Sequence, residues 1–313
     1  MPASLKGRSL ITLRDFSREE IRYLLDLSHR VKKEKHSGKE RFKGLTIALL
    51  FEKRSTRTRC AFETAFGEEG GHPVFLSNAD IQLGAKESIE DTARVLGRMF
   101  DCIQFRGFKT SNALALAEYS GVPVYNGLTD DFHPTQILAD LMTVEESKGR
   151  LEGVKLVYVG DGRNNVANSL MIGCSKMGTD ITVASPHSLL PSENIVTMSR
   201  EFAEKSGSLV EITTDVKKAV KDADVIYTDV WASMGEEDKL AERVKLLKPY
   251  QVNSTLMEST GKDNTVFMHC LPAVKGNEVT AEVVDGSRSE AWNQAENRKH
   301  TIKAVMLATL GLE

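Results

Sequence analysis

Leu45-Thr-Ile-Ala-Leu-Leu50 runs directly into Phe51-Glu-Lys-Arg-Ser-Thr-Arg-Thr-Arg-Cys60. The first segment is a short, mostly apolar run, which reads as a buried parallel strand. Beyond Cys60, residues Ala61, Phe62, Ala65 and Phe66 recur at helical spacing until Gly67, Gly70 and Gly71 stop the pattern. Ser55-Thr-Arg-Thr58 therefore sits where a strand ends and a helix begins. A helix N-terminus presents free N–H groups and about half a positive charge. Hydroxyls of Ser55, Thr56 and Thr58 add donors, and Arg57 and Arg59 can fork onto a tetrahedral oxyanion. The plain alternative is a serine cap followed by solvated arginines. Three hydroxyls and two arginines crowded behind a buried strand favour a phosphate cradle instead.

Working outward, the N-terminal side offers Ser17-Arg-Glu-Glu20, a capping box, ahead of Ile21, Leu24, Leu25, Leu27 and Val31 on one helical face. On the other side, Pro73-Val-Phe-Leu76 reads as a second strand, and the polar loop Ser77 to Glu87 leads to a helix bracketed by Ser88 and Asp91. Cys102-Ile-Gln-Phe-Arg106 reads as a third strand with Arg106 at its carboxyl end. Val122-Pro-Val-Tyr125 reads as a fourth, ending at Asn126-Gly127. Parallel α/β sheets gather ligands at the carboxyl ends of their strands. Ser55, Arg106 and the segment Phe132-His-Pro-Thr-Gln136 are therefore expected to converge, with Pro134 at the first position of a helix. His133 beside a proline is often a structural residue; its arrival at the edge that holds the cradle makes it a site candidate.

Lys148-Gly-Arg-Leu-Glu-Gly153 is polar and bounded by glycine, and reads as a junction between domains. Lys155-Leu-Val-Tyr-Val159 then feeds Gly160-Asp-Gly-Arg-Asn-Asn165 and a helix through Met177. A dinucleotide turn would need a third glycine where Asn165 stands. It would also need an acidic residue after Ile181-Thr-Val-Ala184, where Ser185 and Pro186 follow. No nicotinamide cofactor is expected. The later strands are Leu209–Ile212, Val225–Thr228 and Val266–Met268, and two of their ends carry unusual residues: Asp229-Val-Trp-Ala-Ser-Met-Gly235 and His269-Cys-Leu-Pro272. Asp229 could cap a turn and Cys270 could be an inert buried thiol. A long helix near 290–310 closes the chain and carries Gln294-Ala-Glu-Asn-Arg298.

Length and composition set outer bounds. The 313 residues suffice for two α/β domains of about 150 each. A net charge of −3 gives no reason to expect a nucleic-acid partner. The mixed-sign run from Lys32 to Lys43 reads as a solvated helix end. Cys60, Cys102, Cys174 and Cys270 lack paired spacing, which points to reduced thiols in a cytoplasmic setting and to no metal site. No run reaches the 18 apolar residues of a membrane span, so no membrane partner is expected. The fold class expected is α/β, with two doubly wound parallel-sheet domains of similar size.

Taken together the motifs resemble those of the ornithine carbamoyltransferases, over essentially the whole chain. The landmarks are Phe51-Glu-Lys-Arg-Ser-Thr-Arg-Thr-Arg59, Lys86-Glu-Ser88, Phe132–Gln136, Asp229 with Ser233-Met-Gly235, His269-Cys-Leu-Pro272 and Asn297-Arg298. The resemblance implies a carbamoyl-phosphate domain over 1–148, an ornithine domain over 149–290, and a C-terminal helix, 291–313, that packs back on the first. It implies carbamoyl phosphate held by Ser55, Thr56, Arg57, Thr58, Gln82, Arg106, His133, Gln136, Cys270, Leu271 and Arg298. Gln82 would reach in from a neighbouring subunit of a trimer or a multiple of trimers. Ornithine would be held by Asn165, Asp229, Ser233 and Met234. Arg106, His133, Asp229 and Cys270 would carry the chemistry, without metal or cofactor. A transferase for another amine, such as putrescine, aspartate or an N-acylated ornithine, would keep the first-domain motifs and change the Ser233-Met-Gly235 loop. A phosphate-sensing module would leave Asp229 and Cys270 unexplained.

Overall fold

The computed structural model describes residues 4–35, 37–77, 79, 87–232 and 237–313. Gln82, Lys86, Ser233 and Met234, all named above, lie outside the described residues. The chain divides into two compact units, Met1–Ala139 with Asn297–Glu313, and Asp140–Glu296.

In the first unit α1 (Arg18–Lys33) precedes β1 (Thr46–Phe51), α2 (Thr56–Gly67), β2 (His72–Ser77), α3 (Ile89–Met99), β3 (Cys102–Arg106), α4 (Thr110–Tyr119) and β4 (Val124–Leu128). The capping box at α1 is present in full, with Ser17 accepting from the Glu20 N–H and Glu20 from the Ser17 N–H. The strands pair in parallel in the order β2-β1-β3-β4. The winding order of the strands reverses between β1 and β3, so the crevice of this sheet opens beyond Phe51 and Arg106.

Strand pleating divides the side chains of this sheet between two faces. Ala48, Leu50, Ile103, Phe105 and Val124 form one apolar cluster with Ala93 and Leu96 of α3 and Ala113 and Leu116 of α4. Tyr125 lies on the other face, stacked on Phe62 of α2 at 6.2 Å. β4 runs three residues past the expected end at Tyr125. The reason is tertiary: Leu10 lies alongside, and its carbonyl accepts the Asn126 N–H at 2.8 Å. The Asn126 amide in turn reaches the Ile11 carbonyl at 2.9 Å. α4 is a helix whose apolar spacing gave no clear signal in the sequence.

Two helices carry the chain between units, α5 (Pro134–Lys148) and, at the end, α12 (Ala291–Leu310). In the second unit β5 (Lys155–Val159), α6 (Asn165–Met177), β6 (Asp180–Ala184), α7 (Glu193–Ser206), β7 (Val210–Thr213), α8 (Val216–Val220) and β8 (Val225–Thr228) alternate. They are followed by α9 (Leu240–Leu247), α10 (Ser254–Glu258), β9 (Val266–His269) and α11 (Ala281–Val284). This sheet is also parallel, in the order β7-β6-β5-β8-β9. Its reversal falls between β5 and β8, which aims its crevice at Gly160–Asn165 and Asp229.

One side of this sheet packs Val157, Val159, Ile226 and Phe267 against Ala219, Val220, Leu247 and Val279. α6, buried from Val166 to Met177 except at Asn168, belongs to the second unit. The C-terminal part of α12 belongs to the first unit: Thr309 bonds the Tyr125 hydroxyl at 2.7 Å, and Asn297 accepts from Lys32 at 2.7 Å. Among the described residues no helix is long and apolar enough to cross a membrane.

Candidate active site

At the crevice of the first sheet, Ser55 caps α2 with extended backbone angles, and its Oγ accepts the Thr58 N–H at 3.2 Å. The cap leaves the N–H groups of Thr56 and Arg57 at the open first turn. Thr58 is buried and gathers two arginines from distant elements. Its Oγ1 accepts from Arg106 Nη1 and from Arg298 Nη2, each at 3.3 Å. Arg106 also donates to the Gly127 carbonyl at 3.3 Å. Arg298, on α12, donates to Gln136 Oε1 at 2.7 Å, so the guanidinium and the amide orient one another.

His133 stands immediately before Pro134, and its carbonyl accepts the Gln136 N–H at 3.0 Å in the first turn of α5. The ring is buried, 3.5 Å from Thr135 Oγ1. Its pKa lies well below the usual histidine value, first because burial penalises the charged form and then because Arg298, Arg106 and Arg57 surround it. A neutral imidazole among three guanidiniums is a pocket set up for an anion.

Arg59 departs from the expected cradle. Two residues along a helix is about 200° of rotation; its guanidinium stacks 3.7 Å over the Phe75 ring and pairs with Glu63 at 2.9 Å. It lines a cavity of about 730 Å³ together with Ser55, Thr56, Cys60 and Phe75. Lys53, which drew no separate reading from the sequence, is buried, pairs with Asp130 at 2.6 Å and sits 4.4 Å over Phe108. Lys53 and Glu52, which accepts the Phe108 N–H at 2.9 Å, hold the loop that follows Arg106.

In the second unit, Asp229 at the end of β8 is buried and its carboxylate is fully engaged. Oδ1 accepts the Val230 N–H at 2.8 Å and the Cys270 thiol at 3.0 Å, and Oδ2 accepts from the Asn164 amide at 2.9 Å. Asn164 is also the N-cap of α6, its Oδ1 accepting the Val166 N–H at 2.6 Å. Sequence reasoning selected Asn165, the first residue of α6, and passed over Asn164; its place as a helix cap was the available signal. Leu271 follows Cys270 with φ +59°, the left-handed region.

Ligand-type atoms of Asp229, His269 and Cys270 come within 4.8 Å of one another, a grouping that sequence spacing did not suggest. His269 offers little to a metal: its Nδ1 accepts the Leu271 N–H at 2.8 Å and its Nε2 faces Glu278.

Comparison with known proteins gives a family match for each half of the chain. The model of the aspartate/ornithine carbamoyltransferase carbamoyl-P binding domain matches residues 8–146. The model of the Asp/Orn binding domain of the same family matches residues 152–309. The chain is 64% identical over 312 residues to the ornithine carbamoyltransferase of Caldanaerobacter subterraneus subsp. tengcongensis, covering 99% of this chain and 100% of that protein. It is 65% identical to the ornithine carbamoyltransferase of Thermotoga maritima, with the same coverage. Among solved structures it superposes on ornithine carbamoyltransferase from Pyrococcus furiosus with a TM-score of 0.95 at 48% identity, covering 99% of each chain. With both domain models matched and identity this high over the full length, the chain belongs to the aspartate/ornithine carbamoyltransferase family.

Proposed function

We propose that the protein transfers the carbamoyl group of carbamoyl phosphate to the δ-amine of L-ornithine, giving L-citrulline and phosphate. The observation that carries this reading is the buried, neutral His133 set among Arg57, Arg106 and Arg298 at the crevice of the first sheet. An acyl phosphate brings two or more negative charges and a carbonyl that gains charge during attack, and this pocket complements both.

Ser55, Thr56, Arg57 and Thr58 hold the phosphate at the α2 N-terminus. Arg106 and His133 face the carbonyl oxygen, and Gln136, fixed by Arg298, takes the carbamoyl amide. The neutral δ-amine attacks the carbonyl carbon, and the π electrons move onto oxygen. Donors aimed at that oxyanion are worth about 2.7–4 kcal/mol each. The bond from carbon to the bridging oxygen then breaks, and phosphate leaves with the electron pair into the cradle. The amine, with a solution pKa of about 10.4, must shed a proton to react, and its nitrogen, cationic once bonded to carbon, sheds a second to the departing phosphate. Asp229 and Cys270 are the groups that orient it or take the first proton. Asn165, Ser233 and Met234 bind the remainder of ornithine, and Cys270 and Leu271 border the carbamoyl group. No covalent intermediate on the protein is required. The working form is a cytoplasmic homotrimer or a multiple of trimers, with Gln82 and Lys86 serving a neighbour's site.

The test is a citrulline assay with carbamoyl phosphate and a panel of amines. Ornithine is expected to be preferred over putrescine, aspartate and N-acetylornithine. Equal or faster carbamoylation of another amine would overturn the assignment.

A further inference from the structure

Residues 273–288 carry no sequence motif, yet they supply a fully buried carboxylate. Glu278 and His269 are both 0% exposed, and Glu278 Oε1 lies 3.3 Å from His269 Nε2. The approach is off the N–H axis, an electrostatic contact rather than a straight hydrogen bond. The same Oε1 accepts the Val274 N–H at 2.5 Å, while among the described residues Oε2 has no hydrogen-bond partner. The backbone of Glu278 is pinned too, its carbonyl accepting the Val252 N–H at 2.8 Å. A carboxylate withdrawn from water is costly unless its contacts recover the loss, so a buried one asks for a reason.

On the far side of the imidazole, Nδ1 accepts the Leu271 N–H at 2.8 Å. A ring nitrogen that accepts carries no proton, so the proton of the neutral ring is on Nε2, the atom turned to Glu278. The main-chain N–H of His269 donates to Gln294 Oε1 at 3.0 Å. The Gln294 amide is itself fixed by donating to Asp140 Oδ1 at 2.7 Å and to the Tyr227 hydroxyl at 2.9 Å. The turn from 269 to 274 is therefore held at three backbone N–H groups by buried side chains, through a left-handed Leu271 that a side chain does not favour. Inside this turn sits Cys270, its thiol on Asp229.

We propose that Glu278 is a positioning residue: it fixes the Nε2–H tautomer of His269, which keeps Nδ1 as the acceptor for Leu271 and so holds the Cys270 thiol against Asp229. The inference rests on the proposed function only where it places Asp229 and Cys270 beside the reacting amine.

Three measurements test it. Glu278→Leu is expected to lower kcat by about 10–100-fold, the size seen for lost outer-shell partners elsewhere. It should change KM for carbamoyl phosphate far less than kcat and should speed alkylation of Cys270, located by peptide mass mapping. Glu278→Gln retains an Oε1 for both Val274 and His269, with its NH2 where Oε2 had no partner, and should recover most of both losses. In the wild-type enzyme, 15N-histidine spectra, with His269 assigned by its disappearance in His269→Asn, should show the Nε2–H tautomer at neutral pH. A wild-type kcat and labelling rate in Glu278→Leu would overturn the proposal. So would Glu278→Gln as damaged as Glu278→Leu, or an Nδ1–H or doubly protonated His269 in the wild-type spectra. The spectra decide the matter even if Glu278→Leu does not fold. Absence of citrulline synthesis by the wild type would instead fault the proposed function, while tautomer and labelling rate would still read the positioning role.

Discussion

Arg57→Ala removes one of three guanidinium charges from around His133 and, on the proposed function, one fork from the phosphate cradle. The expected result is a fall in kcat/KM for carbamoyl phosphate of about 10²–10³; near wild-type kinetics would show that the phosphate lies elsewhere. His133 also couples this site to acid stability. Its folded pKa is depressed, so the unfolded chain binds the extra proton more readily. Its contribution is fully present above about pH 6.5 and is lost as pH falls from there toward the lowered folded value. His133→Gln should flatten the acid limb of a plot of unfolding free energy against pH below about 6.5; an unchanged slope would mean another group titrates there. Gln104 of β3 is fully buried, and none of the described residues hydrogen-bonds its amide. Gly127 makes room for it, since a Cβ there would lie 2.5 Å from Gln104 Nε2 and 2.9 Å from Thr58 Cγ2. An unsatisfied buried amide costs about 1–3 kcal/mol, so Gln104→Met is expected to raise Tm. A lower Tm would show that the amide is satisfied in solution.

At the scale of elements, the α2 N-terminus joins a structural role to a chemical one, and the two can be separated. Ser55 Oγ caps the helix by accepting from Thr58, a contact worth about 1 kcal/mol against alanine. Ser55→Ala should therefore lower both stability and phosphate affinity. Ser55→Asp keeps a good cap but sets a carboxylate in the cradle, so stability should hold while phosphate protection in thermal unfolding disappears. If Ser55→Asp were protected by phosphate as well as the wild type, the open turn of α2 would not be the anion site. Most elements were legible because their signals are local: the α1 capping box, the apolar runs at β1 and β5, and Ser88 accepting from the Asp91 N–H at the start of α3. β4 runs further than its own pattern predicts because its last residues are held by Leu10, more than a hundred positions away.

For the whole molecule, ligand linkage and assembly give a further measurement. Phosphate bound only by the folded chain stabilises it by RT ln(1 + [L]/Kd), about 2.7 kcal/mol at a hundredfold excess over Kd. If Gln82 serves a neighbouring subunit, mixing inactive Arg57→Ala and Gln82→Ala chains should restore partial activity in mixed oligomers; none in verified mixed oligomers would refute a shared site. The amino-acid sequence alone determined the alternation of strands and helices and the placing of Ser55, Arg106, His133, Asp229 and Cys270 at strand ends or helix starts. Apolar runs, caps and turn residues act over a few positions, so these features need no distant partner to be read. Tertiary structure decided which of those ends meet. Thr58 receives Arg298 from 240 positions away, Asp229 is held by Asn164 rather than its neighbour, Arg59 turns out to Phe75, and Glu278 backs His269. Such contacts follow from strand order and from the cost of leaving a buried polar group unpaired, and neither is written in local periodicity.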